Sequence, residues 1–167
     1  MPRLHPAHLA AILFAASPVA AIGGDASGVD PQALAQCISN ADSDGARLDC
    51  AGTAQPACIA YAKSRYPEMN PVDMQLNCLD AEWQYWETEL TRVYTELLAT
   101  EEARGADRAA ALRRMERDWI SFRDARCAYD KVTNGRGTGG AVAEPQCKLN
   151  ETARQVILLM SYQRDRT

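Results

Sequence analysis

The chain has 167 residues and a formal net charge of −4, and 24% of its residues are charged. That length suits a single domain, and an acidic balance argues against nucleic-acid binding, which wants a basic face. It holds six cysteines but only two histidines, His5 and His8, both at the extreme N-terminus.

The first residues, MPRLHPAHLAAILFAASPVAAIGG, have the layout of an export signal. Arg3 makes the start positive, and Leu9 to Ala16 is a short apolar run. Val19-Ala20-Ala21 then places small residues at a cleavage site, so residues 1–21 read as a signal peptide cut near Ala21. The apolar run falls well short of the roughly 20 residues needed to span a bilayer, and no later segment is apolar enough to be a membrane span. The first cysteine is Cys37, too far on to carry a lipid anchor. Cleavage would leave 146 residues and, with one Arg removed and no acid, a charge of −5. The mature chain would then contain no imidazole. Residues 22–29 read as a disordered leader, and 30–164 as one helical domain.

Asp30-Pro31 predicts a short helix, with Asp as N-cap and Pro in the first turn. It carries Leu34 and Cys37 and ends near Asn40. A turn over 42–45 leads to a second short helix with Leu48 and Cys50. Pro56 interrupts it, a helical turn follows through Cys58 and Tyr61, and Tyr66-Pro67 breaks the pattern. Asn70-Pro71 starts the strongest element. Leu76, Leu79, Trp83, Trp86, Leu90, Val93 and Leu97 alternate spacings of three and four, a stripe of about 3.5-residue period that marks a long bundle helix. It runs to about Glu102, before Gly105. A second long helix from about Asp107 carries Leu112, Met115, Trp119, Phe122 and Tyr129, with Arg126 in a core-side slot. Residues 132–143 read as a Gly-rich loop, and Glu144-Pro145 as the start of the last helix, with Leu149, Val156, Leu159 and Met160 on its apolar side. No strand pattern appears. The predicted fold is therefore all-α: three main antiparallel helices, with the short N-terminal helices stapled to one end.

An even cysteine count in an exported chain reads as a disulfide framework. Six cysteines allow 15 pairings. Topology favours Cys127–Cys147 across the Gly-rich loop, a closure that contributes about 3 kcal/mol in the chain-entropy model. Cys58 with Cys78 and Cys37 with Cys50 is the preferred arrangement of the rest, and crossing those two bridges is the alternative.

Without His, a Ser–His–Asp or Cys–His nucleophile cannot be assembled in the mature chain, nor the common His-containing zinc sites. No metal site and no cofactor is expected. Asn134 to Gly140 resembles a phosphate loop only superficially, since no Lys-Ser or Lys-Thr follows; it reads as a connection that needs positive φ. The aromatics Trp83, Trp86, Trp119 and Phe122 read as core, with Tyr85 off the stripe and exposed. Glu82, Glu89 and Glu96 recur every seven residues and predict an acidic line beside the apolar seam, a candidate surface for a basic partner.

The second half resembles the bacterial LprI-like lysozyme-inhibitor family. Trp119-Ile120-Ser121-Phe122-Arg123-Asp124-Ala125-Arg126-Cys127 is similar to its W-x-x-[FY]-R-D-x-x-C motif, followed by Gly137 to Gly140 and Cys147. Upstream, Cys78 and then Trp86-Glu87-Thr88-Glu89-Leu90-Thr91-Arg92-Val93-Tyr94 resemble C…(W)D-x-x-L-N-x-x-Y. The resemblance spans roughly residues 58–160. Glu87 stands for the usual Asp and Thr91 for Asn, and Thr152-Ala153-Arg154-Gln155 shifts the Arg of T-x-x-R by one. The family implies a cell-envelope helical domain and, as its activity, inhibition of a lysozyme-type muramidase; the alternative is an envelope interaction module with no lysozyme target. Trp86, Leu90, Tyr94, Trp119, Arg123 and Asp124 read as structural motif positions, with Arg123 bridging helices and Asp124 capping or pairing locally.

Overall fold

The computed structural model describes residues 27–165; the segment read as a signal peptide, and residues 22–26 of the leader, lie outside them. Six helices follow one another: α1 (Pro31–Asn40), α2 (Asp44–Leu48), α3 (Gln55–Arg65), α4 (Pro71–Arg104), α5 (Ala106–Thr133) and α6 (Thr138–Arg164). No strand occurs among the described residues. α5 runs antiparallel to α4 and α6, which lie parallel to each other, and the three pack together.

Local chemistry explains the helix starts. Asp30 Oδ1 accepts from Gln32 N at 2.9 Å and Ala33 N at 3.2 Å, with Pro31 behind it in the first turn. Asn70 Oδ1 accepts from Val72 N at 2.8 Å ahead of Pro71. Each cap satisfies donors that have no partner within the helix. Gly105 alone turns the chain from α4 into α5, at φ +143°, where an L side chain would be strained.

The main core joins Ile38, Leu79, Trp86, Leu90, Val93, Leu97, Leu112, Leu149, Val156 and Leu159. A second cluster of Val29, Leu34, Ala54, Cys58 and Cys78 seats the N-terminal helices against α4. Val29, the end of the stretch expected to be a disordered leader, is buried there beside Leu34. The disulfides are Cys37–Cys50, Cys58–Cys78 and Cys127–Cys147. The N-terminal bridges are thus the uncrossed pair.

Three expectations are corrected. First, α5 reaches Thr133 and α6 begins at Thr138, so the connection is only 134–137 and Pro145 lies inside α6. Asp/Glu–Pro reads as a helix start, yet here the helix continues through the proline, beside the bridged Cys147. Second, Phe122 and Tyr129 are exposed, and α5 turns Ala109, Leu112, Glu116, Arg123 and Cys127 inward. Cys127 must face α6 to meet Cys147, and Arg123, one turn earlier, follows it. Arg126 is accordingly half out in solvent. Third, Tyr85 is half-buried between both clusters, edge-on to Trp86 at 5.5 Å. Burial, aided by the nearby Glu89 charge, pushes its phenol up to about 12.

Candidate functional site

The motif residues converge on one polar knot between the three long helices. Arg123 of α5 donates to Glu87 Oε1 of α4 at 2.6 Å and to Asp124 Oδ1 at 3.0 Å. Its guanidinium carbon lies 4.9 Å from the Trp119 ring centroid and 6.0 Å from that of Trp83. The same Glu87 oxygen accepts from Trp83 Nε1 at 2.9 Å and from the Thr152 hydroxyl of α6 at 3.1 Å. Thr152 in turn accepts from Trp83 Nε1 at 3.1 Å. A buried cation is tolerable only when paired and hydrogen-bonded, and this one is also sandwiched by aromatic faces. Trp86 and Leu90 are buried in the adjacent core, and Tyr94 packs half-buried against it. Trp86, Leu90, Trp119 and Arg123 thus lie where α4, α5 and α6 meet, whereas Phe122 of the same motif faces solvent.

The acidic line does not exist as a surface. Glu82 is fully buried: it accepts from Gly52 N at 2.6 Å and from Gln55 Nε2 at 2.8 Å. The loop entering α3 covers that flank of α4, so the carboxylate anchors α3 instead of facing water. Glu89 and Glu96 do reach the surface, but both bind Arg92, at 2.8 and 3.0 Å. Glu89, Glu96 and Arg92 together carry one negative charge.

Sequence reasoning missed the partners contributed by α6. Thr152 completes the knot. Gln155, three residues on, is buried and donates to Glu116 at 2.6 Å. No cation answers this carboxylate among the described residues, and burial raises its pKa above the ordinary value, the Gln155 hydrogen bond opposing in part. The shifted T-x-x-R pattern was the available signal, since it puts Gln155 at the motif's Arg position. Further down, Glu151 is buried and binds both Arg126 and Arg154. These three line a polar cleft of about 500 Å³ with Asp130, Asn134 and Asn150, beside the Cys127–Cys147 bridge.

No group of three or more His, Cys, Asp or Glu is disposed to hold a metal among the described residues, and no described helix is long and apolar enough to cross a membrane. What fold and knot define is a class: a disulfide-stapled helical bundle of an oxidising compartment, whose three long helices meet at one buried arginine. The family model described as lysozyme inhibitor LprI matches residues 62–159, from the end of α3 through most of α6. That is more than half of the chain, and the chain belongs to this family. No curated protein and no solved structure matches it.

Proposed function

We propose that the protein inhibits a lysozyme-type muramidase by steric and electrostatic blocking of the enzyme's cleft, with no catalysis of its own. The observation that carries this reading is the family match over α4, α5 and most of α6. The acidic net charge of −4 supports it in a second way. It suits a basic lysozyme-type partner and would speed encounter at low ionic strength. The setting is the periplasm or the exterior, reached by export and cleavage near Ala21, and it accords with three disulfides.

The test is a turbidity assay with purified protein, a purified c-type lysozyme and a suspension of bacterial cell walls. Inhibition is expected at micromolar protein, weakening as salt is raised. No inhibition at micromolar protein in low salt would end this reading. One observation favours a second: Trp86, Leu90, Trp119 and Arg123 of the motif are engaged internally, so much of the family signature marks a scaffold that could equally serve an envelope interaction module. Recovery from envelope extract of a stoichiometric partner other than a muramidase would select that alternative.

A further inference from the structure

We propose that the α5–α6 hairpin end is the surface that enters the muramidase's substrate cleft, with Arg136 at its tip pairing the cleft's carboxylates. This assignment rests on the inhibitor reading above. It begins from three side chains on the wrong side of α5. Phe122, Tyr129 and Val132 are 55%, 67% and 76% exposed. With Ala125 they follow the i, i+3, i+7, i+10 spacing of a single helix face. Isolated exposed apolar residues need no explanation, whereas a row of them marks an interaction surface. Aromatic side chains beside arginine are also the types that anchor interfaces.

The row runs down to the tip at 134–137, and the tip has a fixed shape. Asn134 closes α5, its backbone N and its Nδ2 both donating to Asp130 O, at 3.0 and 2.8 Å. Gly135 and Gly137 take φ of +80° and +127°. A Cβ on Gly140 would stand 1.9 Å from Gly135 O, so only glycine permits this closure. A preformed tip loses little conformational freedom on docking.

Charge selects the occupant. Arg136 is exposed and has no ion pair or hydrogen bond among the described residues. Its neighbours in cation type are engaged: Lys131 binds Glu144, and Arg126 binds Glu151. A glycosidase cleft holds two carboxylates flanking the scissile bond, about 5–5.5 Å apart in retaining enzymes, and a guanidinium fork is the side chain that matches carboxylates. A two-helix hairpin narrowing to a short turn can enter a cleft that a helix flank cannot. The polar cleft lined by Asp130, Asn134 and Asn150 lies beside the tip and would receive polar groups from the enzyme's rim. The acidic line is no rival, because Glu82 is buried and Glu89 and Glu96 share Arg92.

The experiment measures inhibition constants against purified c-type lysozyme for the wild type, Arg136→Glu, Tyr129→Ser and the control Arg117→Glu. Thermal melts confirm that each is folded. Arg117 is an exposed base of α5 away from the tip. Arg136→Glu is expected to weaken inhibition at least about tenfold and Tyr129→Ser several-fold, with Arg117→Glu within about twofold. A chitooligosaccharide occupying the cleft should compete with the wild type. Arg136→Glu inhibiting as well as wild type removes this assignment and leaves the inhibitor reading intact. Equal loss in Arg117→Glu removes it too, because the effect would then not be confined to the tip. A homodimer that Tyr129→Ser dissociates while inhibition is unchanged makes the face a self-interface and overturns the proposal. A wild type that does not inhibit removes the inhibitor reading itself, and this assignment with it.

Discussion

Arg123 is the cation around which the long helices close, and its surroundings show why it cannot be exchanged freely. It stacks against Trp119 and Trp83 while its guanidinium binds Glu87 and Asp124. Glu87 remains about one-third exposed, so water can answer part of its charge when the arginine is lost. Arg123→Met should therefore cost about 2 kcal/mol, less than the loss of a fully buried pair. Urea unfolding would read this as a lower midpoint, while inhibition per folded molecule stays unchanged, as expected of a residue that only holds the scaffold. Glu116 makes the opposite case. Its pKa is raised by burial with no cation beside it, so the folded state prefers the protonated acid. That preference is fully present below the ordinary value of 4.5 and is lost as pH rises through the raised one. Glu116→Gln keeps an acceptor for Gln155 and removes the buried charge. It should raise Tm at pH 7 relative to wild type, and the gap should close at pH 4. A lower Tm at pH 7 would show that the charged form is stabilised by something other than Gln155.

The elements divide by whether local or tertiary chemistry decides them. Asp30-Pro31 and Asn70-Pro71 were legible because a cap is satisfied within its own turn. Cys127–Cys147 and the preferred uncrossed pairs were legible from chain topology, and the fold excludes only the crossed alternative. The inward face of α5 was not legible. Phe122 is more apolar than Arg123, yet α5 is rotated by Cys127 and by the acceptors that α4 and α6 offer to Arg123. Glu82 is hidden for the same reason, since its partners lie about thirty residues upstream, Gly52 in the loop before α3 and Gln55 at the start of α3. The start of α6 was misplaced because Pro145 reads as a first-turn residue. Within α6 it cannot donate to the Ala141 carbonyl. Pro145→Ala restores that donor and should stabilise the protein by about 1–2 kcal/mol, less than the full helix-interior difference because α6 already continues through the proline. A raised urea midpoint with unchanged slope would confirm it. No gain would mean that the helix geometry already compensates for the missing bond.

At the scale of the whole molecule the bridges are unequal. Cys37–Cys50 lies wholly within the N-terminal segment, and Cys127–Cys147 lies within the α5–α6 hairpin. Only Cys58–Cys78 ties the N-terminal helices covalently to the bundle. That segment needs the tie. α2 buries no side chain, α3 buries only Cys58 and Ala62, and α1 contributes Leu34 and Ile38. A few apolar side chains stand against the backbone entropy lost in ordering three helices. The tie, closing a 20-residue separation, contributes about 3 kcal/mol. The double variant Cys58→Ala/Cys78→Ala should therefore lose amide protection over residues 31–65 in hydrogen exchange while α4, α5 and α6 keep theirs. Its inhibition of lysozyme should persist, because the proposed docking end is built from α5 and α6 alone. Removing Cys127 and Cys147 should instead lower protection across the bundle and weaken inhibition together. Uniform loss of protection in the first variant would show that the buried Glu82 contacts, rather than the bridge, make the N-terminal helices one cooperative unit with the rest.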